Sequence, residues 1–152
     1  MYAHLCGKNI PGKPGTTRKD AAMVTVGMKG HYEMTVPEEQ LAVRVGSGEV
    51  AVFATPMMIA AIEHTAASSV APALDTGKTT VGTLVNVTHT AATPAGMKVT
   101  VDTEVTEVSA NGKIITFRVS ASDEAGLIGE GTHQRAVVDK ARFEAKALAK
   151  RG

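Results

Sequence analysis

The stretch Thr55-Pro-Met-Met-Ile-Ala-Ala-Ile-Glu-His-Thr-Ala-Ala-Ser-Ser-Val70 decides the fold. Thr55 can cap the orphan N–H groups of a helix start, and Pro56 loses nothing at a first helical position. Pro72 marks the far end. Between them Met57, Met58, Ile59, Ala60, Ala61, Ile62, Ala66, Ala67 and Val70 make the segment apolar on nearly every face. Such a pattern predicts a buried helix rather than one lying on a surface. Something must wrap around it.

Downstream, from Thr79 to Val138, the pattern reads as strands separated by turn residues. Thr79 to His89 is the first. From Met97 to Val105, the residues Met97, Val99, Val101, Thr103 and Val105 alternate with Lys98, Thr100, Asp102 and Glu104, giving one core face and one wet face. Asn111-Gly112 supplies a hairpin turn that tolerates positive φ. Lys113 to Ser122 repeats the alternation through Ile115, Phe117, Val119 and Ala121, and Gly126 precedes a last strand, Leu127 to Val138. Asp139 can cap a short amphipathic helix from Lys140 to Lys150.

Upstream, Val24, Val26, Met28, Tyr32, Met34 and Val36 recur at period two, so Met23 to Val36 predicts an early strand, made irregular by Gly27 and Gly30. Pro37 breaks the pairing, Leu41 to Val45 reads as a short second strand, and Gly46-Ser-Gly-Glu49 reads as a loop. Residues 1–22, with Lys8, Lys13, Arg18 and Lys19 among prolines and glycines, lack the apolar core of a secretory signal and are expected to be a flexible leader. The remaining 23–152 then form a single domain. One long helix followed by an antiparallel meander, with a strand or two ahead of it, is an α+β layout. The hot-dog fold has this order, and a cystatin-like or other helix-on-sheet fold satisfies the periodicity nearly as well.

Composition narrows the functions available. At 152 residues, 43% hydrophobic and 20% charged, the chain suits one packed domain. A formal charge of +1 removes the global electrostatic argument for nucleic acid or an anionic membrane as partner. Aromatic residues amount to 3%, with no tryptophan, so stacking platforms for bases or sugars are scarce. The single cysteine, Cys6, excludes an intramolecular disulfide and a cysteine zinc cluster, and fits a reducing cytoplasm. No apolar run reaches the roughly 18 residues of a membrane span. No histidine pair has zinc-site spacing, so no metal is expected; His31 and His133 read as partly exposed strand residues.

Between Val50 and Leu74 the only formally charged residue is Glu63, planted mid-helix in a segment that otherwise reads as dry. A carboxylate there costs kilocalories unless it has a partner or a task. The partner reading is a salt bridge to Arg118 or Arg135; the other reading is catalysis. His89 is the one ionisable residue between Lys78 and Lys98, with an ordinary pKa suited to proton transfer near neutrality. Thr55 has a plain role as the helix cap. It also stands where N–H donors and the positive end of the helix dipole can hold a polarised carbonyl. Gly82, inside a strand, marks either a bulge or an accessible backbone N–H. Thr55 and Glu63 lie eight residues apart, about 12 Å along the helix axis and roughly 80° around it. They cannot hydrogen-bond within one chain. A two-fold dimer, in which the start of one helix faces the middle of the other, would let both act on one atom.

Three runs carry a resemblance to a known family: Val52-Phe-Ala-Thr-Pro-Met-Met-Ile-Ala-Ala-Ile-Glu63, Val81-Gly-Thr-Leu-Val-Asn-Val-Thr-His-Thr-Ala-Ala-Thr-Pro94, and Gly129-Glu-Gly-Thr-His-Gln-Arg-Ala-Val137. In order and spacing they resemble the fluoroacetyl-CoA thioesterase family of hot-dog proteins, over about Val50 to Ala145. The resemblance implies a central helix wrapped by an antiparallel sheet, a homodimer, and a catalytic Thr, Glu and His set at Thr55, Glu63 and His89. It further implies that the Gly82 backbone N–H and Arg135 serve the acyl group. No cofactor is implied, since coenzyme A enters as part of the substrate. The family's fluoroacetate-selective member carries a phenylalanine lid at the position that Glu49 occupies here, so the resemblance supports thioester hydrolysis and leaves fluoroacetyl selectivity open. Pro56 also departs from the family's selective member, stiffening the helix start without removing the Thr55 hydroxyl. Two other readings use the same fold. A hydratase would need an Asp and His pair on a different spacing, which is missing. A non-catalytic acyl-CoA binding or sensing module would have little reason to keep Glu63.

Overall fold

The computed structural model describes residues 23–152. The leader expected at 1–22 lies outside the described residues. Chain order is β1 (Lys29–Thr35), a 3-10 turn (Glu38–Gln40), α1 (Ala42–Val45), α2 (Thr55–Val70), a second 3-10 turn (Ala71–Ala73), β2 (Lys78–Val87), β3 (Lys98–Val108), β4 (Ile114–Asp123), β5 (Gly126–Asp139) and α3 (Lys140–Leu148). The strands form one antiparallel sheet in the order β1-β3-β4-β5-β2. Because β1 pairs with β3 and β2 takes the opposite edge, this is the hot-dog topology and not a simple meander.

The alternation read in the sequence builds the inner face of the sheet. Val99, Val101 and Val105 of β3 and Ile115, Phe117, Val119 and Ala121 of β4 are fully buried against α2. From α2 they meet Met58, Ile62, Ala66 and Val70, at the three- and four-residue spacing of one helix face. α2 passes so close to β1 that a Cβ on Gly30 would press into the Thr65 carbonyl and the Ser69 side chain. Glycine at position 30 is what permits that crossing.

Three expectations are corrected. The helix is not buried all round: Pro56, Ala60, His64 and Ser68 form an exposed stripe at four-residue spacing, since one curled sheet covers only one side of it. Leu41 to Val45 is not a strand. Leu41 makes one bridge to Phe53, and the chain then turns into α1, where the Val45 N–H donates to the Leu41 carbonyl and Gly46 ends the turn at φ +89°. The early strand is also shorter than Met23 to Val36, because Gly27 at φ +94° turns the chain before β1 begins. Among the described residues no helix is long and apolar enough to cross a membrane.

Candidate active site

α2 presents two polar groups, one at its start and one at its middle. Ala54, not Thr55, occupies the N-cap position, and no side chain caps the helix. Thr55 is the first helical residue, which corrects the capping role read for it. Its hydroxyl is left to reach His89 Nδ1 at 2.7 Å. His89 lies two residues beyond β2, on a segment that stays paired to β5 through Thr88 N–H to Glu130 O (2.9 Å) and Thr90 N–H to Ile128 O (2.7 Å). That pairing needs Gly129, where a Cβ would strike the Thr88 carbonyl. His89 Nε2 is buried and has no hydrogen-bond partner among the described residues. Burial holds the imidazole below its ordinary pKa, with a backbone hydrogen bond to Ala91 acting the other way. A cavity of about 320 Å³ opens beside this pair, bordered by Ser47, Gly48, Val50 and Phe53 of the loop ahead of the helix.

Two turns along, Glu63 faces β2 and β5. Arg135 Nη1 donates to Glu63 Oε2 at 3.2 Å, so the carboxylate has the arginine partner that the sequence allowed. Arg118, the other candidate, pairs instead with Glu104 at 2.7 Å on the outer face of the sheet. Glu63 also lies against Gly82: a Cβ there would collide with Glu63 Oε2. Gly82 therefore admits the carboxylate to the backbone of the edge strand, just before the irregularity in pairing between Gly82 and Leu84. The Glu63 side chain keeps 39% of its exposure while that of Arg135 keeps 8%. The carboxylate is thus less dry than its neighbours in the sequence suggested.

Arg135 is held on every nitrogen. Nε donates to Thr80 Oγ1 (2.8 Å), Nη2 to the Thr80 carbonyl (3.0 Å), and Nη1 to His133 Nε2 (3.2 Å) as well as to Glu63. His133 Nδ1 donates to the Leu84 carbonyl at 2.7 Å. A carbonyl only accepts, so the His133 proton sits on Nδ1 and Nε2 is the lone-pair acceptor for Arg135. The ring is fully buried and stacks on Phe117, with centroids 6.0 Å apart. Burial lowers its pKa first, the Arg135 charge lowers it too, and the Leu84 hydrogen bond and Glu63 oppose them. Burial likewise lowers the Arg135 pKa, with Glu63 opposing. The reading of His133 as a partly exposed strand residue is corrected: its two-residue offset from Arg135 puts both on the inner face of β5. That offset was the available signal for His133. Nothing in the sequence marked Thr80.

Within one chain, then, Thr55 with His89 and Glu63 with Arg135 and Gly82 form two separate groups, and no hydrogen bond joins them among the described residues. Among those residues no group of three or more His, Cys, Asp or Glu side chains is placed to hold a metal ion.

A helix cradled by this strand order, with a carboxylate exposed at its middle beside an edge-strand glycine, places the molecule in the hot-dog class. Comparison with known proteins narrows the class. The family model for fluoroacetyl-CoA-specific thioesterase, FlK, matches residues 36–141. The fluoroacetyl-CoA thioesterase of Streptantibioticus cattleyicolor is 44% identical over 99 residues, which is 65% of this chain and 70% of that relative. A solved structure of the fluoroacetyl-CoA thioesterase FlK superposes with a TM-score of 0.79 at 36% identity, covering 84% of this chain and 97% of that one. A thioesterase superfamily member from Thermus thermophilus gives 0.75 at 29% identity, over 84% and 95% of the two chains. The chain belongs to the fluoroacetyl-CoA-specific thioesterase family, whose members are hot-dog thioester hydrolases.

Proposed function

We propose that the protein hydrolyses a small acyl-CoA thioester to the free acid and coenzyme A, with residues 23–152 acting as one thioesterase domain. The observation that carries this reading is the Glu63 carboxylate, fixed by Arg135 against the backbone of Gly82. The thioester carbonyl lies at Gly82, where backbone N–H groups and a helix N-terminus stabilise the developing oxyanion. Glu63 either takes the proton of an attacking water or adds to the carbonyl itself, giving an anhydride that water then opens. In both routes the tetrahedral intermediate collapses by breaking the carbon–sulfur bond. The coenzyme A thiolate leaves with a proton that His89 can supply. Thr55 donates a hydrogen bond into the site and sets the His89 ring. Arg135 positions the carboxylate and borders the acyl group. No cofactor or metal enters the scheme, and coenzyme A arrives with the substrate.

Two groups that stay apart within one chain support a homodimer whose site is shared, with Thr55 and His89 from one protomer and Glu63 from its partner. Further support comes from the edge strand β2, which exposes Leu84 and Val85, and from the open stripe of α2. The lone cysteine supports a cytoplasmic location. Glu49, in the loop beside the Thr55 cavity, stands where the resemblance places a phenylalanine lid and so argues against strict selectivity for fluoroacetyl-CoA.

Thiol release from acetyl, fluoroacetyl, short branched, aryl and long-chain CoA thioesters, with Glu63→Gln as control, tests the proposal. Hydrolysis of one small acyl class, lost by at least about 100-fold in Glu63→Gln with unchanged circular dichroism, is the expected result. No release from any of them by a folded dimer that still binds acyl-CoA would replace the enzyme with a sensing module.

A further inference from the structure

The inner face of the sheet does not end at Arg135. Directly opposed pairs on β2 and β5 run Gly82 with Arg135, Thr80 with Val137, and Lys78 with Asp139. Opposed residues project to the same face, so Lys78 and Asp139 continue the row that holds the carboxylate, about 13 Å further along the strands. The next strand adds to this end: the Val137 N–H donates to the Lys113 carbonyl at 2.8 Å, placing Lys113 level with Val137. Thr80 keeps 7% of its exposure and Val137 packs against the hydrophobic core, so the row opens to solvent at Lys78. There α3 borders the face with Arg142, Phe143 and Lys146. Together these residues line a groove of about 600 Å³.

The charge of this groove is out of keeping with a chain of formal charge +1. Lys78, Lys113, Arg142 and Lys146 bring four cations to it, all on exposed residues. Among the described residues none of the four forms an ion pair. The one acid, Asp139, accepts from the Arg142 backbone N–H at 3.0 Å as the cap of α3. A larger groove, about 780 Å³, on the outer face of the sheet shows the contrast. There Arg118 pairs with Glu104 and His31 with Asp102, and the remaining cation, Lys29, is balanced in number by the remaining acid, Glu130. Four unmatched cations within one groove repel each other, a cost that a polyanion removes. Phe143 retains 45% of its exposure and offers an aromatic ring at the same place.

We propose that this groove between β5 and α3 binds the phosphorylated adenosine of coenzyme A, its 3′-phosphate and diphosphate held by Lys78, Lys113, Arg142 and Lys146 and its adenine resting on Phe143. The inference rests on the acyl-CoA reading. A thioester with its carbonyl at Gly82 has the cations within reach of an extended pantetheine arm, since Lys78 lies only four residues along β2 from Gly82, about 13 Å. The groove then supplies binding energy far from the reacting carbon.

Two readouts test it. Titration calorimetry with adenosine 3′,5′-bisphosphate as the probe should show binding that weakens about tenfold in Arg142→Glu/Lys146→Glu, and separately in Lys113→Glu, and that fades with added salt. The ratio of kcat/KM for acyl-CoA to that for the same acyl group on pantetheine should fall about tenfold in each variant. Bisphosphate binding and a kcat/KM ratio that neither variant changes, in an enzyme that still releases thiol, overturn the nucleotide site and leave hydrolysis standing. Charge-dependent bisphosphate binding by a protein that releases no thiol from any acyl-CoA keeps the site and removes the hydrolysis.

Discussion

Arg135 shows how one buried side chain organises a site. Four hydrogen bonds tie its guanidinium to Thr80, His133 and Glu63, so it has one orientation and the carboxylate follows it. Arg135→Lys keeps a charge but loses the fork, and thiol release should fall about 100-fold with little change in KM. Gly82→Ala drives a methyl group into Glu63 Oε2 and should lower kcat by a similar factor while the unfolding midpoint moves far less. Both are read by steady-state kinetics beside thermal unfolding. The histidines set a pH dependence. His89 and His133 both have folded pKa values below the ordinary 6.5, chiefly through burial. The unfolded chain therefore binds protons at a pH where the folded chain does not. The stabilisation is fully present above 6.5 and is lost as pH falls from there through the depressed folded values. His31, exposed and raised in pKa by its hydrogen bond to Asp102, acts with the opposite sign, so it is removed with His31→Gln; in that background denaturation curves between pH 5 and 8 should show stability declining below about 6.5, less steeply when His133→Gln is added. A stability that rises on acidification through that window would contradict the assignment of His133 as neutral.

At the level of elements, α2 carries Thr55 and Glu63, both halves of the proposed site, so its seating matters as much as the residues it displays. Met58 is fully buried where α2 packs on the Gly129 backbone of β5. Met58→Ala should cost about 2–5 kcal/mol in urea unfolding, the range for truncating a buried large side chain. Gly30→Ala acts from the sheet side, forcing α2 off the Thr65 and Ser69 contact. Its expected effect is destabilisation together with a fall in thiol release, because the helix carries Glu63 with it. The loop ahead of α2 stands apart from this packing: Glu49 is exposed beside the Thr55 cavity, where changes alter substrate choice before stability.

For the whole molecule the decisive question is whether two groups about 12 Å apart along one helix serve one carbonyl, as the proposed shared site requires. Mixing Thr55→Ala protomers with Glu63→Gln protomers answers it. In a shared-site dimer every mixed dimer holds one fully native site and one doubly altered one. Random reassociation should therefore restore about a quarter of wild-type thiol release from two nearly inactive parents. Activity no higher than the mean of the parents would place the whole site within one chain. Val85→Glu, on the exposed edge of β2, should lower the dimer fraction in analytical ultracentrifugation and thiol release together.

The sequence by itself determined the order of elements, the inner face of β3 and β4, and the candidates Thr55, Glu63 and His89. Each rests on a local signal: period-two alternation, a proline at a helix start, an ionisable residue isolated in an apolar or neutral stretch. The same locality explains the errors. Leu41 to Val45 alternates like a strand, but bonds within α1 took its backbone. Thr55 has the chemistry of a cap, but Ala54 took the cap position and freed the hydroxyl for His89. Only the tertiary structure decided that Arg135 rather than Arg118 meets Glu63, that His133 is buried with its lone pair on Arg135, and that the cations of β2, the β3–β4 turn and α3 share one groove. Those outcomes depend on which faces of distant strands coincide. Strand order and register set that, and no local pattern of residues encodes it.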